Sequence, residues 1–227
     1  MLSPIRWVPV ALAAALAAAC SSPLEKPPIE QRYYTLDATR PEATTSVPRG
    51  ADVVAVRRFR ASPGYEGREL VFATGTGQFR TDFYNVFFAP PAAMLADEAR
   101  EWLDRSGLFR AAVPATSQAD ARYALEGSLT AVHGEATGGG HQAVLDVQFL
   151  LLDIRAAETP ILFQRQYRRT APASGPGAPA LAAGLNAALA DILGALEADL
   201  APVVNRPPPV PLAAPTVRAP GGRAGRR

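Results

Sequence analysis

The chain has 227 residues, of which 48% are hydrophobic and 19% are charged, and its formal net charge is +2. This length is enough for one substantial domain with flexible ends. Residues 202–227 contain five arginines and no acid, whereas residues 20–201 hold 17 basic and 21 acidic residues. A mildly acidic domain with a basic tail is not the profile of a nucleic-acid-binding protein, which places its basic residues on a folded face.

The N-terminus has the three regions of a bacterial lipoprotein signal peptide over residues 1–19. Arg6 lies near the start, an apolar stretch follows from Val8 to Ala19, and small residues precede Cys20, the only cysteine. A thiol is the nucleophile that can accept a diacylglyceryl group as a thioether. Cleavage would then free the Cys20 amine for a further acyl chain such as palmitate. The alternative is a plain secretory peptide that leaves a free thiol at Cys20.

Two proline-rich segments flank the predicted domain at residues 31–201. Residues 20–30 predict an extended tether that begins at the lipidated cysteine and reaches at most ~30 Å, at roughly 3.1 Å per residue. Residues 202–227 contain seven prolines and the Gly221-Gly222 pair. Such a sequence cannot bury enough apolar surface to offset the entropy of ordering. We therefore expect a disordered Pro/Arg-rich tail.

The first half of the domain predicts short strands and one helix. Residues 32–36 and 52–59 are expected to be strands, and a hairpin is expected from 69–74 and 78–84 around Gly75-Thr76-Gly77. Residues 91–105 have helical spacing, in which Pro91 suits the first turn and Gly107 suits a left-handed cap. A further short strand is expected over residues 108–113.

The second half predicts three longer strands and a second helix. Apolar and polar residues alternate along 123–131, 145–151 and 161–168, which favours an antiparallel meander with its first turn at Gly138-Gly139-Gly140. From Pro179 to about Leu200, leucines repeat on one helical face. The sequence therefore predicts an α/β fold, a two-layer sandwich in which two helices pack on one face of a mostly antiparallel sheet.

No pattern of catalytic or metal-binding residues stands out, so we expect neither an enzyme nor a cofactor. His133 and His141 flank the glycine turn, and with Glu135 they could form a weak metal site of mobile ligands. Exposed residues at a hairpin tip are the preferred interpretation. Gly75-Thr76-Gly77 lacks the lysine and the following helix of a phosphate loop, and no Gly-x-Ser-x-Gly motif is present.

Residues 61–91 contain more aromatic side chains than one hairpin needs for its core. Aromatic and arginine side chains are enriched at protein interfaces. This segment is therefore a candidate partner-binding surface, with Tyr65, Arg68, Phe83 and Tyr84 as its central residues. The alternative is that most of these rings pack beneath the helix that begins at Pro91.

Several short motifs resemble the ABC-type transport auxiliary lipoprotein family, which includes paraquat-inducible protein C. The motifs that carry the resemblance follow one another in a characteristic order: Tyr33-Tyr34-Thr35-Leu36, Ser62-Pro63-Gly64-Tyr65, Arg68-Glu69-Leu70-Val71, Asp82-Phe83-Tyr84-Asn85, Phe88-Ala89-Pro90-Pro91, Ser106-Gly107-Leu108-Phe109 and Tyr123-Ala124-Leu125-Glu126-Gly127. Together with the leucine-rich last helix, the resemblance covers about residues 31–200.

The resemblance implies a non-catalytic auxiliary or docking component of an MCE-type (mammalian-cell-entry) ABC lipid transport system. Its partners would be an MCE-domain protein that spans the periplasm and the ABC transporter of the inner membrane. Cys20 would anchor the chain to the outer membrane, facing the periplasm, and Ser21 after the modified cysteine agrees with outer-membrane sorting. A periplasmic lipid-binding carrier is the alternative function. The oligomeric state stays open, a homo-oligomer included.

Overall fold

The computed structural model describes residues 30–41 and 49–204. Within these residues the chain forms nine strands, two helices and a short 3-10 turn at Pro63–Tyr65. The strands are β1 (Arg32–Tyr34), β2 (Val53–Val56), β3 (Arg60–Ala61), β4 (Glu69–Gly75), β5 (Gln78–Phe87), β6 (Ala111–Pro114), β7 (Tyr123–Thr137), β8 (Gly140–Asp153) and β9 (Ile161–Ala173). The helices are α1 (Pro91–Ser106) and α2 (Ala178–Val204). The signal peptide, Cys20, most of the tether and the tail from residue 205 lie outside the described residues.

The antiparallel meander of β7, β8 and β9 forms one end of the sheet, with β9 as the edge strand, and confirms the prediction from alternating residues. Its strands pair over almost their whole lengths, with Leu125 opposite Leu151 and Leu151 opposite Phe163. Leu125 and Leu151 are fully buried. The opposite face of the same strands carries polar residues such as Gln148 and Gln166, which explains the period of two.

The second edge of β7 makes the sheet mixed, so the prediction of a mostly antiparallel two-layer sandwich is wrong. Three short strands lie one after another along that edge, all parallel to β7: β2 at residues 123–125, β3 at 128–129 and β4 at 134–135. β6 pairs with β2, and β5 and then β1 extend the sheet beyond β4. β7 has room for all three because its 15 residues, at about 3.4 Å each, span ~50 Å. The sheet curls into a half-barrel.

Helix α1 confirms the predicted helix at 91–105. Pro91 occupies the first turn, where its missing N–H costs nothing. Gly107 adopts a φ of 78°, the left-handed conformation that ends many helices. The hydroxyl of buried Ser106 donates to the Leu103 carbonyl at 2.7 Å. The helix therefore ends abruptly, and the chain returns to the sheet as β6 beside β2.

Helix α2 packs on β8 and β9 and is longer than predicted. It runs through Pro202 to Val204, three residues beyond the domain boundary expected at residue 201. By length and composition α2 could cross a membrane, but one of its faces is buried against the sheet. A Cβ at Gly184 would lie only 2.8 Å from the Cβ of Ala143 on β8. Helix and sheet are thus in direct contact at this point.

Both helices share one hydrophobic core with the same face of the sheet, as predicted. Trp102 of α1 and Leu193 of α2 belong to one cluster with Leu125 and Phe149 of the meander. Trp102 also donates a hydrogen bond from Nε1 to Oε2 of Glu197 on α2 (2.7 Å). This bond ties the two helices directly to each other.

Candidate functional site

An irregular stretch of β5 carries two exposed aromatic rings of the β4–β5 hairpin. Between its pairs with Leu70 and Glu69 of β4, β5 contains three residues without a counterpart, 83–85. Extra residues of this kind bend a strand and redirect its side chains. Phe83 and Tyr84 consequently lie in solvent, 60% and 58% exposed.

Asp82 holds this bulge in shape. Its Oδ1 accepts hydrogen bonds from the backbone N–H groups of Tyr84 (3.0 Å) and Asn85 (3.1 Å), and its Oδ2 accepts one from Asn85 Nδ2 (2.9 Å). Partial burial alone would raise the pKa of Asp82, but these hydrogen bonds outweigh it and keep the pKa below its usual range. The carboxylate therefore stays ionised at neutral pH and orders the segment that carries both rings.

Four exposed rings form a surface that we call the aromatic edge: Tyr33, Phe83, Tyr84 and Phe88. Each ring is more than half exposed. Because β1 pairs with β5, Tyr33 meets Phe88 edge-to-face with ring centroids 6.3 Å apart. Phe83 and Tyr84 meet in the same way at 5.4 Å. Gln31 connects the two pairs, since its side chain bonds both the Phe83 carbonyl and the Tyr33 hydroxyl. Clustered exposed aromatics are typical of binding surfaces.

Three of the four predicted partner-binding residues lie at or beside this surface. Phe83 and Tyr84 belong to the aromatic edge, and Arg68 lies next to it, with Nη1 3.4 Å from the Phe88 carbonyl oxygen. The sequence did not single out Tyr33 or Phe88 as central residues. Tyr33 and Phe88 come together because β1 pairs with β5. These segments are far apart in the chain, and no local pattern in the sequence indicates that they pair.

Tyr65, the fourth predicted residue, lies in a different cluster. Its hydroxyl is 3.1 Å from Nδ1 of His133, and the two rings are stacked with centroids 6.1 Å apart. His133 is only 6% exposed, so the interpretation of both histidines as exposed hairpin-tip residues is wrong for this one. β7 continues to Thr137, which places His133 inside the strand, whereas His141 is exposed.

Burial keeps the side chains of Tyr65 and His133 in their uncharged forms. Burial raises the pKa of Tyr65 more than the charge of Arg168 lowers it, so the phenol stays protonated. Burial lowers the pKa of His133, and this effect outweighs that of Glu135, whose Oε2 is 3.7 Å from Nε2. Over residues 30–41 and 49–204, no three His, Cys, Asp or Glu side chains are grouped so that they could hold a metal ion.

The lowered pKa of His133 predicts a loss of stability on acidification. In the unfolded chain a histidine takes up a proton near its usual pKa of 6.5, whereas the buried imidazole stays neutral to lower pH. The unfolded state therefore binds more protons as the pH falls through this range, and folding becomes less favourable. Urea unfolding should show a lower free energy of unfolding at about pH 5.5 than at about pH 7.5, with a smaller difference in His133→Gln. An equal difference in both proteins would assign the effect to other groups.

The structure is thus a curled sheet backed by two helices, with an exposed aromatic edge and a buried histidine that is bonded to Tyr65. Residues 34–196 match the sequence model that describes the ABC-type transport auxiliary lipoprotein component. The chain belongs to this family, which confirms the resemblance, and it is therefore an auxiliary component of ABC-type transport. None of the curated proteins matches the chain.

Solved structures share the fold at low sequence identity. The protein XCC0632 from Xanthomonas campestris, of the family DUF330, gives a TM-score of 0.63 at 17% identity and covers 76% of this chain and 95% of that protein. An uncharacterized protein gives 0.59 at 16% identity, over 75% and 99%. The PelC dodecamer from Paraburkholderia phytofirmans is more distant, with 0.40 at 22% identity over 70% and 94%. The first two similarities establish the fold alone.

Proposed function

We propose that this chain is a lipid-anchored, non-catalytic docking component of an MCE-type ABC lipid transport system at the outer membrane. The observation that carries the proposal is the aromatic edge, with rings 53% to 66% exposed on a domain of the transport auxiliary family. Rings left in water on a folded surface favour a protein partner. The proposed partner is the MCE-domain protein that connects to the ABC transporter.

The proposed anchor is the acylated Cys20, facing the periplasm, with Ser21 favouring the outer membrane. Two or more acyl chains make detachment negligible, because each buried methylene contributes about 0.8 kcal/mol. The tether of residues 20–30 leads into β1, whose Tyr33 belongs to the aromatic edge. An extended tether of this length spans at most ~30 Å. The partner must therefore come close to the outer membrane, as a protein that spans the periplasm does.

Removing two rings of the aromatic edge is expected to release the partner. In cells that produce the tagged full-length chain, Phe83→Ser/Tyr84→Ser should lower recovery of the MCE-domain protein from solubilised membranes at least about tenfold, because hot-spot residues contribute about 2 kcal/mol or more each. Both rings are exposed, so the variant should fold. Quantitative mass spectrometry of the co-purified MCE-domain protein measures the effect.

The matched control is Ile161→Ser/Leu162→Ser on β9, at the other end of the sheet from β1. It removes apolar side chains that are 55% and 37% exposed and should keep the partner. Equal recovery of the partner with the edge variant and this control would contradict the docking surface. Cys20→Ser tests the anchor separately, in a chain whose residues 1–19 are replaced by a plain secretory signal peptide so that cleavage does not need the acylated cysteine. This chain should move into the soluble periplasmic fraction, and its retention in membranes would contradict the anchor.

A lipid-binding carrier is the second candidate function, favoured by an opening beside the start of α2. This opening has a volume of about 270 Å³, and its apolar lining includes Phe72, Gly134 and Leu181. This volume is just below the range of about 300–1,000 Å³ that is typical of ligand sites, and Gly184 meets Ala143 one turn further along α2. Native mass spectrometry of the Cys20→Ser chain distinguishes the candidates: a carrier retains lipid, and a docking component retains none.

A further inference from the structure

An arginine-rich groove lies where the chain passes from β2 to β3, away from the aromatic edge. Both strands pair in parallel with β7, with Val56 opposite Leu125 and Arg60 opposite Ser128. The chain therefore advances four residues from Val56 to Arg60 while β7 advances only three. One extra residue is accommodated in this crossover, as in a β-bulge.

Phe59 holds the crossover in place. Its ring is 4% exposed and covers Gly127 of β7 so closely that a Cβ on this glycine would lie 2.6 Å from the ring carbons. Its neighbours Arg57, Arg58 and Arg60 all remain exposed. The buried ring thus positions three arginines around one opening, although the crossover itself has no regular secondary structure.

Among the residues that the structure describes, the lining of this groove carries more positive than negative charge. It has a volume of about 650 Å³, and its lining includes Arg57, Arg58, Arg60, Glu126 and Ser128. Arg57 forms an ion pair with Glu126. Neither Arg58 nor Arg60 makes an ion pair with any residue that the structure describes. Three guanidinium groups and one carboxylate therefore leave a net charge of +2 on the residues that line the groove.

We propose that this groove binds a phosphate group. A phosphate monoester carries about −1.5 to −2 charges at pH 7, which matches the two unpaired guanidinium groups. A ligand with a single carboxylate would neutralise only one of them. Guanidinium groups also bind phosphate oxygens in bidentate pairs, and Ser128 adds a hydroxyl to the lining. A lipid headgroup and free phosphate share this chemistry. The site is independent of the proposed docking role, because none of its residues belongs to the aromatic edge.

The test uses the mature chain with Cys20→Ser, so that no acyl chain contributes to membrane binding. Calorimetry with inorganic phosphate measures binding of the free anion. Flotation with phosphatidylcholine vesicles, with or without phosphatidic acid, measures binding of a lipid phosphate. Arg58→Gln/Arg60→Gln should weaken the observed binding at least about tenfold, since hydrogen bonds to charged groups are the stronger ones. Calorimetric binding identifies free phosphate as a ligand, flotation alone identifies a lipid headgroup, and either supports the groove.

Two further variants distinguish a built site from general positive charge. Arg32→Gln/Arg110→Gln removes two other exposed arginines and should leave binding within about twofold. Arg58→Lys/Arg60→Lys keeps the charge but loses the bidentate geometry, so it should bind with intermediate affinity. The proposal is overturned if the folded chain binds neither probe, if both glutamine variants lose binding equally, or if polyglutamate binds in preference to both phosphate probes.

Discussion

Glu197→Ala is expected to lower the free energy of unfolding by about 3 kcal/mol. Oε2 of Glu197 accepts hydrogen bonds from Trp102 Nε1 (2.7 Å) and Arg40 Nε (3.1 Å), and Oε1 accepts one from Arg40 Nη2 (2.8 Å). Trp102 is 3% exposed, and the Arg40 side chain is 15% exposed. Because water has little access to either donor, alanine leaves an indole N–H and a guanidinium group without their acceptor.

The effect is measured by urea unfolding followed by circular dichroism. Glu197→Gln keeps one oxygen acceptor and should lose about half as much stability. Glu158→Ala removes an exposed carboxylate between β8 and β9 and should change stability by less than about 0.5 kcal/mol. A loss below about 1 kcal/mol in Glu197→Ala would show that solvent replaces the carboxylate at both donors.

Gly127→Ala is expected to destabilise the protein by about 2 kcal/mol through overpacking. Strand propensity predicts the opposite sign, since glycine inside a strand is about 0.5–1 kcal/mol less favourable than alanine. Packing should prevail here, because the new Cβ would lie 2.6 Å from the ring of Phe59. That ring is buried and meets Phe149 with centroids 5.7 Å apart, so it cannot move without disturbing the core.

Gly138→Ala in the β7–β8 turn is the matched control, because no atom lies within 4 Å of its added Cβ. Its stability should stay within about 0.5 kcal/mol of the wild type. Phe59→Leu should relieve part of the clash, which gives a coupling energy of about 1 kcal/mol or more in a double-mutant cycle with Gly127→Ala. A Gly127→Ala protein as stable as the wild type would mean that Phe59 and β7 can separate at no cost.

Local sequence patterns were sufficient to predict the meander and both helices. Alternation along β7, β8 and β9 depends on residues two apart, and the helical stripes depend on residues three and four apart. Pro91 and Gly107 mark the ends of α1 through their own backbone preferences. These features need no distant partner, so the sequence predicted them together with the candidate aromatic segment.

The parallel pairings along β7 had no comparable local signal. Val54 pairs with Tyr123 and Phe72 with Gly134, and strands as short as β3, with two residues, show no periodicity. The segment at 52–59, predicted as one strand, ends as β2 at Val56 and continues into the crossover. Only the folded sheet determines which edge a short strand joins.

The sequence by itself indicated the family, the proposed lipid attachment at Cys20 and an aromatic-rich hairpin. These features depend only on residue types and on their order along the chain. The tertiary structure decided which rings are accessible. Phe87 is 1% exposed and Phe83, four residues earlier on the same strand, is 60% exposed. The tertiary structure also decided that His133 is buried and that Arg58 is exposed. Burial depends on contacts between segments far apart in sequence, and no local pattern contains those contacts.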